Sequence, residues 1–342
     1  LPFGKNGFLA LKEDMPPHHT LLSILRHQGY HTRFYYGSDL TFDNMLTFLQ
    51  RQGVEVLVGE DDFGLEYQHS PGGANEENRG YWGYADRELM RKALDMERNY
   101  RQQPFITVVL TVSMHTPYIV PDQQRYRKRF EKRLDELELS PAVRSRRRVH
   151  RNIYSTIMYT DEALRFFFEE YAKLPAYGNT IFIISGDHRL PEIPISTKID
   201  RYHVPFIIYS PLLKHPARFR SISSQFDVTP SLMAFLHHGY GLKVPSAVCW
   251  VGDGLDTEPD FRNIHRIPLK QTITNLVDFI SDRSFINQGR LFIVDRSLGL
   301  QPVTNEVRRR EVLREFNRFR ARNDRFAKTL KLIPGPVYSE FP

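Results

Sequence analysis

Five β-branched or aromatic residues at 180–184 are followed directly by the tetrapeptide Ser-Gly-Asp-His at 185–188. Such an apolar run predicts a strand buried in a parallel sheet. Ligands of open α/β sheets bind at the carboxyl ends of the strands, which is where Asp187 and His188 would lie. Their carboxylate oxygen and imidazole nitrogen suit a divalent ion such as Zn or Mn. The alternative is a turn in which Asp187 caps the next segment and His188 is an ordinary surface residue.

Strand-like and helix-like segments alternate along most of the chain. Strands are predicted at 31–36, 54–58, 105–112, 180–184 and 204–209, and helices at 20–25, 42–49, 87–100, 143–174 and 229–236. This alternation predicts an α/β fold with a mostly parallel central sheet and helices on both of its faces. Residues 60–85 have no periodicity and predict a long loop, and the charged connection at 121–141 has partial helix character.

The pattern changes near residue 255, which predicts two parts. Residues 1–255 form the main domain, and residues 256–342 form a small C-terminal subdomain. A strand is expected at 291–294 and a long helix at 305–330, with Val312, Phe316 and Phe319 on one side of it.

Composition limits the classes of function. The net charge is +7, with basic residues concentrated at 125–133, 144–151 and 308–325. No zinc-finger spacing, RNP motif or helix-turn-helix pattern accompanies them, so no nucleic-acid partner is predicted. The last group is interleaved with acids, as on a solvated helix face, whereas for 125–151 contact with an anionic membrane surface remains equally open. Cys249 is the only cysteine and has apolar neighbours, which favours a packed, inert thiol.

Two further histidines flank predicted strands. His115 follows the strand at 105–112, so in a parallel sheet it would share an edge with Asp187 and His188. It can donate to an anionic substrate oxygen or act as a general acid, or it is a loop histidine fixed by Pro117. His203 precedes the strand at 204–209, where a metal or phosphate ligand and a simple strand cap are equally open.

The order of four segments carries a family resemblance. They are SMHTPY at 113–118, SGDH at 185–188, HVPF at 203–206 and DVTPSL at 227–232. In this order the chain resembles the sulfatase-like branch of the alkaline phosphatase superfamily, and more narrowly the lipoteichoic acid synthase and phosphoglycerol transferase group. Residues 29–37 and 42–45 resemble that group's segment just after the nucleophile, and residues 295–300 extend the resemblance.

The resemblance implies an alkaline phosphatase-like α/β/α sandwich that binds one divalent cation, Mn, Mg or Zn. Asp187 and His188 would be metal ligands. His115 would be catalytic, binding substrate or assisting the leaving group. His203 would contact substrate, and Arg189, which stands where Gly is usual, either reaches a phosphate or is simply solvated.

The resemblance also implies substrate contacts near the start of the chain. Lipoteichoic acid synthases carry His, Trp and Arg for glycerophosphate where this chain has Tyr36, Asp43 and Met45. We therefore expect Tyr36, Asp43 and Asn44 to contact a related substrate, and lipoteichoic acid itself is disfavoured as the product.

The implied activity moves a phosphoglycerol-type group from an anionic phospholipid headgroup to a glycan or polymer acceptor through a phosphorylated Thr or Ser. That nucleophile and an early acidic ligand would lie upstream of residue 1, since Thr20 is the only Thr or Ser in residues 1–20 and is misplaced. We therefore expect a fragment of a membrane-anchored protein whose catalytic domain is periplasmic. The alternatives are a sulfatase, whose C/S-x-P-x-R motif does not surround Cys249, and a non-catalytic domain that binds anionic lipid through 125–151.

Overall fold

A computed structural model describes residues 8–70, 82–100, 103–272 and 276–341. Its first layer is a three-stranded parallel sheet of β1 (His31–Tyr36), β2 (Val56–Val58) and β3 (Phe105–Leu110), in the order β2-β1-β3. Residues 71–81 of the predicted loop lie outside the described residues. The helices of this part are α1 (Leu21–His27), α2 (Met45–Arg51), α3 (Asp86–Asn99), α4 (Gln123–Glu136), α5 (Pro141–Val149), α6 (Arg151–Tyr171) and α7 (Val228–Tyr240).

The central strand β1 is buried on both of its faces. Phe34 and Tyr36 pack against Leu49 of α2 on one face. Tyr35, which points the other way, packs against Leu89 of α3. Because successive strand residues point to opposite faces, this alternation places helices on both sides of the sheet. The predicted α/β architecture with a covered parallel sheet is confirmed.

The predicted single helix at 143–174 is two helices. α5 begins at Pro141 after Ser140, whose side chain accepts from the amide of Val143. The chain leaves helical geometry at His150, with φ −102° and ψ 26°, and α6 begins at the next residue. The helical spacing of the apolar residues continues across His150, so the sequence pattern did not reveal the interruption. α6 packs on both α3 and α4.

The strand that precedes Asp187 differs from the expectation. β4 (Phe182–Ser185) pairs antiparallel with β5 (Phe206–Tyr209), and these two form a separate sheet within the described residues. β4 is half-buried, and Ile207 and Ile208 of β5 are exposed. An apolar run encodes neither strand direction nor partner, so the prediction of a buried parallel strand was wrong at this position.

The C-terminal part contains a five-stranded antiparallel sheet. Its strands are β6 (Arg266–Lys270), β7 (Leu276–Ser281), β8 (Ser284–Asn287), β9 (Arg290–Val294) and β10 (Leu300–Pro302), in the order β10-β9-β8-β7-β6. Two helices follow, α8 (Glu306–Thr329) and α9 (Gly335–Tyr338). Val312 and Phe316 of α8 pack against Phe279, Ile286 and Leu291 on one face of the sheet.

The other face of this sheet packs on the main part of the chain. Ile280, Phe285 and Val294 share a hydrophobic cluster with Ile199. The hydroxyl of Tyr202 donates to Asp278, which also accepts from Asn287. The sheet therefore supports the turn that leads to His203. The division of the chain into two parts at residue 255 stays a prediction.

Asp256 and Arg262 hold the loop that leads into this sheet. Both carboxylate oxygens accept from the guanidinium, at 2.8 and 2.7 Å. The Arg262 hydrogen bonds lower the pKa of Asp256 to about 2, from 3.8. Because the pKa is depressed in the folded state, this stabilisation is complete above about pH 4 and is lost as the pH falls towards 2.

We expect Arg262→Gln to lower the free energy of unfolding at pH 7, and the difference from wild type to shrink below pH 4. Urea unfolding between pH 2 and 8 measures this. Arg290→Gln, on an exposed strand end, is the control for loss of charge. A difference that is constant with pH would contradict the assigned pairing.

Among the helices of the described residues, none is long and apolar enough to cross a membrane.

Candidate functional site

Asp86, the first residue of α3, holds the loop after β3 in place through hydrogen bonds. One carboxylate oxygen accepts from the backbone amides of Val112 and Ser113, both at 2.9 Å. The other accepts from the hydroxyl of Thr160 on α6 at 2.7 Å, and the amide of Asp86 donates to Ser113. Asp86 is fully buried. Its oxygens are satisfied only if the loop keeps this conformation, which makes Asp86 a positioning residue for His115.

His115 is exposed at the tip of this loop and is oriented by its neighbours. Its Nδ1 lies 2.9 Å from the carbonyl oxygen of Thr116. The ring of Trp82 meets it edge-on with a centroid distance of 4.6 Å, and the indole NH donates to the same carbonyl. A carbonyl partner on Nδ1 requires the proton there in the neutral ring, which leaves the Nε2 lone pair for substrate or proton transfer.

The aromatic contact continues to the segment that follows β1. Phe42 packs edge-on against Trp82 at 5.7 Å. The next residues, Asp43 and Asn44, have φ of 49° and 59°, a left-handed conformation that Asp and Asn adopt more readily than most residues. Asp43 is exposed and Asn44 is half-buried. Two residues predicted to contact substrate are thus joined through Phe42 and Trp82 to His115.

The loop after β4 meets the His115 loop at Glu192. The hydroxyl of Tyr118 donates to this carboxylate at 2.5 Å. The Tyr118 hydrogen bond lowers the pKa of Glu192 most, and the charges of His115 and Arg189 lower it further. His115 and Arg189, which the sequence placed on different strands, therefore lie around one carboxylate. Glu192 was not predicted from the sequence.

Asp187 and His188 form an exposed pair at the end of β4. Asp187 Oδ2 and His188 Nε2 are 3.6 Å apart. The other oxygen of Asp187 accepts from the amide of His188 at 2.8 Å, and Nδ1 of His188 is 2.7 Å from the Arg189 carbonyl. Nδ1 thus donates to a backbone carbonyl, the arrangement common in metal-binding histidines, and Nε2 keeps its lone pair. The amide of Gln225 donates to the Gly186 carbonyl and holds the turn.

The pair offers two ligands of the kind that a divalent cation needs. Across the described ranges, no three or more His, Cys, Asp or Glu side chains come together as a metal-binding group. Because carboxylate oxygen and imidazole nitrogen are compatible donors, the two residues fit such an ion as part of a larger set.

Arg189 is occupied by its own loop. Its guanidinium donates to the carbonyls of Leu190 and Ile193 at 2.8 and 2.7 Å, and to that of Pro191 at 3.2 Å. These bonds hold residues 190–193 and place Glu192 opposite Tyr118. Contact of Arg189 with a phosphate stays a prediction.

The remaining predicted residues differ in burial. His203 is exposed and follows the turn Ile199–Tyr202, which the C-terminal sheet supports. Tyr36 is buried in the core, and burial raises the pKa of its hydroxyl. Thr20 caps α1 and donates to Gln52, and its exclusion as the nucleophile stays a prediction.

Comparison with known sequences indicates the family to which this chain belongs. The sequence model of the family described as Sulfatase matches residues 3–238, more than half of the chain. The lipoteichoic acid synthase-like protein YvgJ of Bacillus subtilis is 23% identical over 235 residues, which cover 64% of this chain and 34% of that protein. Phosphoglycerol transferase I of Citrobacter koseri is 24% identical over 189 residues, 55% of this chain and 22% of the relative. The chain thus spans about a third or less of the length of these two relatives.

Solved structures agree on the fold. A Vibrio parahaemolyticus protein of the alkaline phosphatase superfamily has a TM-score of 0.63 and 23% identity, with 92% of this chain and 72% of that chain covered. The lipoteichoic acid synthase LtaP from Listeria monocytogenes has a TM-score of 0.61 and 17% identity, covering 94% and 75%. These likenesses confirm the alkaline phosphatase-like fold. Because the family model matches more than half of the chain, the chain belongs to the Sulfatase family.

Proposed function

We propose that this chain carries the leaving-group and metal-binding residues of a phosphoglycerol transferase. The enzyme moves a phosphoglycerol-type group from an anionic phospholipid headgroup to a glycan or polymer acceptor on the extracytoplasmic side of the cell membrane. The observation that supports this most is the meeting of two loops around Glu192. One bears His115, and the other bears Asp187, His188 and Arg189. The names of the relatives support the reaction class.

Asp187 Oδ2 and His188 Nε2 would hold one divalent cation together with ligands outside this pair. When bound, the cation supplies positive charge that activates a hydroxyl nucleophile and offsets charge on the phosphoryl oxygens. The nitrogen donor favours Mn or Zn over Mg. The chain's part is to fix the two donors, through the His188 amide and the Arg189 carbonyl.

In this proposal His115 is the general acid. As the phosphorus–oxygen bond to the leaving group breaks, protonated His115 donates from Nε2 to the leaving oxygen. Thr116 and Trp82 hold the ring for this transfer.

Substrate contacts are proposed for the surrounding residues. Asp43 and Asn44 bind hydroxyl groups of the headgroup, and Tyr36 supports their segment from the core, where Leu40 and Met45 pack against its cluster. His203 binds a phosphoryl oxygen from the β5 side.

A sulfatase is the second candidate function, because the matching family model carries that name. Burial raises the pKa of Cys249, which disfavours the reactive thiolate, and Val251 and Asp253 stand where the C-x-P-x-R motif has Pro and Arg. Parallel assays of the whole protein with a phosphodiester and a sulfate ester distinguish the two. Transfer or cleavage of the phosphodiester alone supports our proposal, and turnover of the sulfate ester alone refutes it.

We expect the isolated 342 residues to bind Mn²⁺ weakly, and Asp187→Asn with His188→Gln to weaken this binding at least about tenfold. Isothermal titration with MnCl₂ and ZnCl₂ measures the change. Asp260→Asn with His215→Gln, which alters the same residue types at exposed positions, is the matched control. Equal loss in both double variants would remove the pair from the metal site.

A further inference from the structure

An open cavity of about 380 Å³ lies where α3, α4 and α6 meet. Four arginines line it, Arg87, Arg125, Arg129 and Arg165, with the carboxylates of Glu162 and Glu169. This is a formal excess of two positive charges in one concave place. None of these residues belongs to the His115 loop or to the loop after β4.

Helix geometry explains why the arginines converge. Arg125 and Arg129 are four residues apart and share one face of α4. Glu162, Arg165 and Glu169 are three and four residues apart and share one face of α6. The packing of α6 against α3 and α4 brings these faces together.

Glu162 neutralises only part of this charge. Its carboxylate accepts from Arg125 at 2.8 Å and also from Arg129. Burial by itself would raise the pKa of Glu162, but the hydrogen bonds and charges of the two arginines outweigh it and lower the pKa. Glu162 is therefore ionised and fixes both guanidiniums at the wall of the cavity.

Two arginines have little or no acidic partner. Arg87 lies with its guanidinium 4.2 Å from the centroid of the Phe166 ring, and no carboxylate of the described residues forms an ion pair with it. Stacking occupies the flat face of a guanidinium and leaves its N–H edge for an oxyanion. Among the acids that the structure describes, Arg165 approaches only Asp161, at 3.7 Å, and both side chains are more than half exposed, so this pair is weak.

Three other basic residues of the segment 125–151 form ion pairs on the helix surface. Arg133 pairs with Glu136, and Arg148 pairs with Glu131. Arg144 approaches Asp135 at 3.3 Å. Residues 125–151 carry eleven basic and four acidic side chains, so these pairs neutralise only part of the charge of the segment. The cavity differs from the rest of the segment because its arginines converge in one concave place, which favours a localised anion site there.

We propose that this cavity binds a phosphate ester that carries hydroxyl groups. The N–H edges of Arg87 and Arg165 take two oxygens of the phosphate, a match that planar guanidiniums favour. Glu162 and Glu169 accept from the hydroxyl groups of the organic part, which inorganic phosphate lacks. The volume lies in the lower range of small-molecule sites, about 300–1,000 Å³, so it admits more than a single ion. The proposal does not depend on the function proposed for the His115 site.

The test uses the 342-residue chain at low salt, titrated with glycerol 3-phosphate and with inorganic phosphate. Arg87→Gln with Arg165→Gln is the test variant. Arg310→Gln with Arg314→Gln on α8 removes the same charge from another exposed helix and is the control. We expect glycerol 3-phosphate to bind wild type and control alike, and the test variant at least about tenfold more weakly, since the variant lacks the charge-assisted hydrogen bonds of both guanidiniums. Circular dichroism checks that both variants are folded.

Vesicles distinguish the source of the phosphate. Sedimentation with phosphatidylglycerol-containing vesicles that is lost only in the test variant would identify a lipid headgroup. Binding of free glycerol 3-phosphate without vesicle binding would identify a soluble ester. The proposal would be overturned if both double variants weakened binding equally, or if inorganic phosphate bound as tightly as glycerol 3-phosphate. It would also be overturned if neither glycerol 3-phosphate nor the phosphatidylglycerol vesicles bound.

Discussion

Asp86→Ala should lower the free energy of unfolding by about 3–5 kcal/mol and reduce activity of the whole protein. The variant leaves the amides of Val112 and Ser113 and the hydroxyl of Thr160 without their acceptor. A buried polar group that loses its partner costs about 1–3 kcal/mol, and three are affected. Relief of the buried charge offsets part of this loss. Urea unfolding followed by circular dichroism measures the change.

Two variants separate the role of the carboxylate from that of charge. Asp86→Asn keeps one acceptor oxygen and should lose less stability than Asp86→Ala. Asp324→Ala, on the exposed face of α8, removes the same charge and should change stability by less than about 0.5 kcal/mol.

Hydrogen exchange adds a local measurement. The amides of Val112 and Ser113 should lose protection in Asp86→Ala more than those of β1. A uniform loss across the sheet, or no loss at all, would contradict the role of Asp86 in holding the His115 loop.

His115→Ala should lower the rate of transfer by the whole protein about 10²- to 10⁴-fold, the usual contribution of a general acid. The fold should be unaffected, because the His115 ring is exposed and its hydrogen bond is to the adjacent residue. The loss should be mainly in kcat, since proton donation stabilises the transition state rather than the bound substrate. His215→Ala, another exposed histidine, is the control.

A comparison of two substrates with different leaving groups tests the role of His115 as an acid more directly. A nitrophenyl phosphodiester releases a stable anion that needs no proton, so His115→Ala should cost much less with it than with an alkyl phosphodiester. An equal loss with both substrates would assign His115 to binding rather than to acid catalysis. Unchanged rates with both would remove it from the mechanism.

Local patterns predicted much of the main domain. The helix predicted at 20–25 is α1, which has a capping box at Thr20 and is followed by Gly29 with a φ of +85°. β1 and β3 were also predicted, at 31–36 and 105–112, as was α3, at 87–100. Short-range rules sufficed because each of these elements is bounded by its own turn or cap residues.

The C-terminal sheet was largely missed because its strands are short and partly polar. Only β9 was predicted. β8, Ser284–Asn287, begins and ends with polar residues that are buried in the structure. Asn287 is buried because it donates to Asp278, a partner nine residues away, and no periodicity shows such a bond.

The candidate site was only partly predictable, because it depends on contacts between residues that are far apart in the sequence. His115, Asp187 and His188 could be selected from their positions after apolar runs. Asp86 and Glu192 could not be, because their significance comes from Thr160 and Tyr118, each 74 residues away. A carboxylate that organises a loop looks in the sequence like any surface acid.

The contact between Trp82 and His115 has a spectroscopic consequence. The chain has only two tryptophans, Trp82 and Trp250, and only Trp82 has a ring contact with His115, at 4.6 Å. A positively charged imidazole quenches indole emission at this range far more than a neutral one. In Trp250→Phe the remaining fluorescence would report directly on the charge of His115. The proton that we assign to the leaving group could then be followed optically, in the absence of any substrate.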